Sequence, residues 1–95
     1  MTTYFVTRHK GAVEWARAQG INALHISHLD TASIKPGDHV LGTLPVSEAA
    51  KVCAKRGRYF HLVLSLPPEA RGRELSARDM EENGAKLMEY EVMEK

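Results

Sequence analysis

The sequence predicts an α/β fold with a mostly parallel sheet and helices on both of its faces. Two observations carry that reading. Short runs rich in β-branched and aromatic residues alternate along the chain with stretches whose apolar residues recur at helical spacing. Strand-helix-strand units of this length close by right-handed crossovers that set successive strands side by side and parallel. Size adds a third constraint: 95 residues predict one domain spanning 1–95. A chain this short buries only about 60–65% of its unfolded surface, which favours a homodimer as a source of further buried area.

The first strand is Thr3-Tyr4-Phe5-Val6-Thr7, and it leads directly into the polar triplet Arg8-His9-Lys10. From Gly11 to Gln19 the residues Ala12, Val13, Trp15, Ala16 and Ala18 predict a short helix, with Gly20 placed to close it in a left-handed conformation. Ala23-Leu24-His25-Ile26-Ser27 follows as a second strand whose exit carries His28 and Asp30. The Pro36-Gly37 pair marks a tight turn before a third strand, His39-Val40-Leu41-Gly42-Thr43.

Pro45 suits the first turn of a second helix, in which Val46, Ala49, Ala50 and Cys53 form one apolar stripe and Gly57 marks the end. Arg58 to Leu66 is the longest apolar run, a central strand stopped by Pro67-Pro68. Ser76 and Asp79 have capping-box spacing, and Met80, Gly84, Leu87 and Met88 continue a helical face behind them. At Met88 the apolar spacing changes to two, through Tyr90 and Val92, which fits a short edge strand; a continuing helix fits the same residues. Taken together the elements describe a compact Rossmann-like domain. In such sheets ligands gather outside the carboxyl ends of the strands, where the crossover direction switches.

Thirteen Lys and Arg against twelve Asp and Glu leave no broad basic face for sequence-blind binding of long nucleic acid, so a nucleic-acid ligand would be small. No apolar stretch approaches the roughly 20 residues that cross a bilayer, and the amino terminus lacks a signal-peptide pattern. The single cysteine, Cys53, cannot form an internal disulfide. These features point to the cytoplasm and away from a membrane.

The candidate chemistry lies at strand exits. Arg8, His9 and Lys10 place positive charge where a helix begins, an arrangement unfavourable by about 0.3–1 kcal/mol per exposed charge; an anionic ligand would turn that conflict into a binding site. Gly42-Thr43-Leu44-Pro45 forms the second helix entrance, with backbone access at Gly42, a hydroxyl at Thr43 and, if Pro45 is the first helical residue, a cap at Leu44 that cannot satisfy the amides beyond it. Arg71 and Arg73 can set guanidinium planes on phosphate or adenine, with Glu74 orienting one of them. Five histidines raise a metal hypothesis, but His25 and His28 lie at i and i+3 of a strand and face opposite ways. No metal and no other cofactor is therefore expected. His9 and His28, at strand exits, are the candidates for proton transfer, while His25, His39 and His61 read as packing or surface residues.

With these residues laid out, the chain resembles a family of small stand-alone CRISPR-associated proteins of type III systems that act as ring nucleases. The resemblance rests on Tyr4-Phe5-Val6-Thr7-Arg8-His9, Gly11-Ala12, Glu14-Trp15-Ala16, His28-Leu29-Asp30, Pro36-Gly37-Asp38, Gly42-Thr43-Leu44-Pro45 and Arg71-Gly72-Arg73-Glu74-Leu75. It implies a CARF-related homodimer that binds cyclic tetra-adenylate and linearises it, switching off antiviral signalling by attack of the ribose 2′-hydroxyl without a metal. In that scheme Arg8 and Arg71 stabilise charge and His9 moves a proton. Thr43 and its neighbouring amides anchor phosphate, and Thr7, Lys10, His28, Asp30, Gly42, Leu44, Pro45, Arg73 and Glu74 complete the ligand contacts. The alternative from another class is a non-catalytic sensor that holds the ring intact.

Overall fold

The computed structural model describes residues 1–65 and 74–95. Its elements are β1 (Thr3–Val6), α1 (Lys10–Ala18), β2 (Leu24–Ile26), a 3-10 turn (Thr31–Ser33), β3 (His39–Gly42), α2 (Val46–Ala54), β4 (Arg58–Val63), α3 (Ala77–Glu82) and β5 (Lys86–Tyr90). The sheet runs β2-β1-β3-β4-β5. All pairings among the first four strands are parallel, and β5 joins β4 antiparallel. This is the mostly parallel α/β sheet that the alternation of strand and helix signals predicts. No helix among the described residues is long and apolar enough to cross a membrane.

Strand alternation decides which helix covers which side chain. Phe5 and Leu41 point to one face, where they pack with Ala12, Trp15 and Ala16 of α1 and Met80 of α3. Val40 and Tyr59 point to the other and meet Ala49 and Val52 of α2, with Tyr4 and Val6 packed against them. Trp15 is 4% exposed, and its indole N–H donates to Glu81 Oε2 at 3.2 Å, which fastens α1 to α3. Trp15 is thus a packing anchor of the α1–α3 face.

Some expectations about burial and boundaries need correction. The buried stripe of α2 runs through Ala49 and Val52, while Val46, the first residue of the helix, is 74% exposed. The left-handed residue that ends α2 is Arg56, with φ 64°, not Gly57. Gly57 is needed instead for close approach, since a Cβ there would lie 2.9 Å from both Ile34 Cγ2 and Val52 Cγ1. Finally, the helical face read through Gly84, Leu87 and Met88 breaks at Gly84, whose φ is +72°. The helix ends at Glu82 and the edge strand begins at Lys86. Leu87 then faces the α1–α3 core and Met88 faces out. Strand β4 ends at Val63, with Leu64 and Ser65 already outside it, short of the expected end at Leu66; Leu66 and the Pro67-Pro68 stop lie outside the described residues.

Other signals land as read. Gly20 and Gly37 have φ +79° and +88°, the latter with Asp38 N–H bonded to the Lys35 carbonyl at 3.0 Å, as a Pro-Gly turn requires. Ser76 Oγ accepts from Asp79 N–H and the Asp79 carboxylate accepts from Ser76 N–H, a complete capping box.

Candidate functional site

Strand β1 has β2 on one side and β3 on the other, so the chain reverses its crossover direction between β1 and β3. Val6 and Gly42 are paired in register, which brings the two exits level: Thr7-Arg8-His9 leaves β1 beside Thr43-Leu44-Pro45 leaving β3. From this point α1 departs over one face and α2 over the other. Both helices thus present their amino termini to a single crevice, the place where open α/β sheets bind ligands.

The crevice has two lobes. The larger, about 680 Å³, lies on the α1–α3 side; Phe5, Ala12, Leu62, Leu64 and Met80 form its apolar floor, and Arg8, His9, Thr43 and Glu74 stand at its rim. The smaller, about 340 Å³, lies on the α2 side between His28, Leu44, Pro45 and Glu48. Thr7, Arg8, His9 and Thr43 line both lobes. Gly42 also borders the larger lobe; its φ is +149° and a Cβ would lie 2.5 Å from the Val6 carbonyl oxygen, so only glycine lets β1 and β3 run together up to the crevice.

Neither helix entrance is closed by its own sequence. The cap of α1 is His9 and that of α2 is Pro45, and neither side chain bonds to the helix amides. The expectation that Leu44 caps α2 is corrected by one residue: Pro45 is the cap and Val46 the first helical position. The Leu44 amide has another partner, the hydroxyl of Tyr59 at 2.9 Å. The conclusion about the helix is unchanged, since proline offers no side-chain acceptor.

The β1 exit is fixed from several directions. Thr7 N–H donates to Ile26 O at 3.0 Å, Thr7 Oγ1 accepts from His9 N–H at 3.1 Å, and His25 Nε2–H donates to the Thr7 carbonyl at 2.7 Å. The Arg8 guanidinium donates from Nη2 to His28 Nε2 at 3.0 Å. The same Nη2 lies 3.4 Å from His28 Nδ1, so His28 holds Arg8 at the rim, and among the described residues the guanidinium makes no hydrogen bond to any other group. The His9 imidazole has no hydrogen-bond partner among the described residues.

Of the residues singled out in the sequence, Thr7, Arg8, His9, His28, Gly42, Thr43, Leu44, Pro45 and Glu74 converge on the crevice. Lys10 and Asp30 line neither lobe. Asp30 accepts from Ala32 N–H at 3.0 Å and caps the 3-10 turn; Lys10 is the exposed first residue of α1. Arg71 and Arg73 lie outside the described residues.

Three residues read as packing or left unremarked belong to the neighbourhood. His25 buttresses Thr7. Tyr59 and His61 sit behind the β3 exit, with Tyr59 Oη 2.6 Å from His61 Nδ1, and burial pushes the Tyr59 hydroxyl pKa up, partly offset by the Leu44 N–H bond. The available signal was the i, i+2 placement of two polar aromatic groups on one face of a central strand, where an apolar pair is the norm.

A polar crevice with an arginine held at its rim, two helix amino termini and an apolar floor suits a ligand that combines phosphates with aromatic bases. The family model described as "Putative CRISPR-associated protein (Cas_VVA1548)" matches residues 4–93. The chain belongs to this CRISPR-associated family. No curated protein and no solved structure matches it. The family match takes in both strand exits and all five strands save Thr3.

Proposed function

We propose that this CRISPR-associated protein is a ring nuclease that binds cyclic tetra-adenylate and linearises it, switching off type III antiviral signalling in the cytoplasm. The observation that carries the reading is the convergence of α1, α2 and the Arg8 guanidinium on one crevice with an apolar lobe beside it. Helix amides and Arg8 meet phosphate, and the apolar lobe accepts an adenine. The sequence resemblance to ring nucleases supplies the identity of the ligand.

In the reaction the ribose 2′-oxygen bonds to the adjacent phosphorus as the P–O5′ bond breaks. His9 takes the 2′-hydroxyl proton, and a proton reaches the departing 5′-oxygen, leaving a 2′,3′-cyclic phosphate and a 5′-hydroxyl. Arg8 and Arg71 neutralise the charge that builds on the phosphorane oxygens, and Thr43 with the amides at the start of α2 holds a neighbouring phosphate. His28 and Glu74 orient the arginines, Arg73 adds a further ligand contact, and Lys10 and Asp30 are outer contacts. The substrate's own hydroxyl is the nucleophile, so the scheme needs no metal. A two-fold ring suits a homodimer in which each subunit supplies the same rim to half of it.

The test is incubation of the purified protein with cyclic tetra-adenylate in excess EDTA. Linear adenylates ending in 2′,3′-cyclic phosphate are expected. A ring bound tightly and recovered intact would make the protein a sensor, and cleavage restored only by a divalent ion would overturn the metal-free scheme.

A further inference from the structure

Behind the β3 exit lies a side-chain cluster that the proposed chemistry does not use. Tyr59, on β4, is 3% exposed and packs in the α2-side core with Val40, Ala49 and Val52. Its hydroxyl does not end in that core. It reaches the turn between β3 and α2, where it accepts from Leu44 N–H at 2.9 Å, and it stands 3.3 Å from the Gly42 carbonyl oxygen and 2.6 Å from His61 Nδ1. One hydroxyl thus contacts the backbone on both sides of Thr43, and its single proton goes to His61 or to Gly42.

The placement is hard to explain by stability alone. A phenylalanine would fill the same space, and the hydroxyl brings a polar group into a core where it must be satisfied. The turn it grips has Gly42 in a conformation that only glycine adopts freely and ends in Pro45, which cannot cap its helix. Such a turn lacks the local side-chain bonds that ordinarily hold a helix entrance. Tyr59 supplies the missing restraint from the next strand.

We propose that Tyr59, backed by His61, is a positioning residue: it clamps the Gly42–Pro45 turn so that Thr43 and the first amides of α2 face the crevice before any ligand arrives. The proposal rests on the ligand reading above for its effect on binding, while the clamp itself can be read without ligand. Restraining the turn in the free protein removes an ordering cost that binding would otherwise bear.

The experiment compares wild-type protein with Tyr59→Phe, which keeps the ring and its packing, and with His61→Leu, which removes the backing group together with its edge contact to Tyr90. Three quantities are measured: amide hydrogen exchange at Leu44, Glu48 and Ala49, whose N–H groups bond to the Tyr59 hydroxyl and to the Pro45 carbonyl, thermal midpoint, and affinity for cyclic tetra-adenylate. In Tyr59→Phe, exchange at these amides should quicken about tenfold and affinity should fall about tenfold, the scale of one lost buried hydrogen bond. His61→Leu should move both in the same direction by less. A lowered thermal midpoint with unchanged affinity would make Tyr59 a merely structural residue and overturn the proposal, as would unchanged exchange in both variants. If the wild-type protein does not bind the ring while exchange still quickens in Tyr59→Phe, the functional reading fails and the clamp stands. If the wild-type binds and Tyr59→Phe binds equally, the clamp alone fails.

Discussion

The two ends of the parallel sheet treat their polar groups in opposite ways. At the amino end, Asp38 is 3% exposed and both carboxylate oxygens are taken internally, Oδ1 by Thr2 N–H at 2.9 Å and Oδ2 by Lys35 N–H at 3.0 Å. That end is closed: the carboxylate ties the start of β1 to the turn before β3. At the carboxyl end, Arg8 and His9 are exposed, two helices begin without side-chain caps, and the crevice lies between them. Helix α3 shows that the chain can close a helix start when it is built to, since Ser76 and Asp79 satisfy each other's amides. The contrast separates polar residues that hold the fold from polar residues left available to a ligand.

The largest expected effect is at the open end. Arg8→Ala should slow single-turnover cleavage of cyclic tetra-adenylate by about 100-fold, the usual scale for removing one donor to a developing oxyanion. Lys10→Ala, outside both lobes, should stay within about threefold. Similar small effects of both would make the triplet a solvated patch and erase the distinction between the two ends. His9→Ala sharpens the same point: slowed cleavage with retained affinity assigns it proton transfer, whereas loss of both makes it a contact residue.

Closing the open end artificially comes next. Pro45→Asp supplies α2 with the cap it lacks, and should raise stability by about 0.5–1 kcal/mol. The same carboxylate competes with phosphate for the helix amides, so affinity for the ring should drop about tenfold. Calorimetric unfolding and titration on one preparation read both; a gain in stability with undiminished affinity would show that these amides do not meet the ligand.

At the closed end the expected changes are in stability alone. The amide bonds from Lys35 and Thr2 hold the Asp38 carboxyl below its ordinary pKa. A group lowered in the folded state contributes stability above its unfolded pKa and loses it as pH falls through the folded value. Wild-type protein should therefore lose stability as acidification passes the ordinary carboxylate range and continues below it. Asp38→Asn should be less stable at neutral pH, because its amide N–H₂ faces a backbone N–H, and should show a flatter acid limb in denaturant titrations from pH 7 to pH 3. Cleavage at neutral pH should be unchanged wherever the variant is folded. The smallest effect is at α3, where Ser76→Ala should lower stability by about 1 kcal/mol and leave both ligand affinity and cleavage as they are.

How far the sequence reached can be judged from particular residues. Local chemistry was legible wherever one residue type answers one backbone need: Gly20 and Gly37 at positive φ, the Ser76–Asp79 box, and the β-branched and aromatic run of β1. It misled where a tertiary contact outranked the local pattern. Gly57 looks like a helix terminator, yet the side chains of Ile34 and Val52 crowd it and Arg56 takes the left-handed conformation. Val46 fits the spacing of an apolar stripe, but no element of the described structure covers it.

By itself the sequence determined the alternation of strands and helices, the polar strand exits and the two uncapped helix entrances, because each depends on neighbours within a few residues. The order β2-β1-β3-β4-β5 and the level pairing of Val6 with Gly42 were decided by tertiary structure, since register follows from which faces of distant strands bury together. So were the partners of single groups. Arg8 finds His28 twenty positions on, and Tyr59 reaches back fifteen positions to Leu44. Spacing along the chain carries no information about such meetings, because they exist only after the sheet has brought the strands side by side.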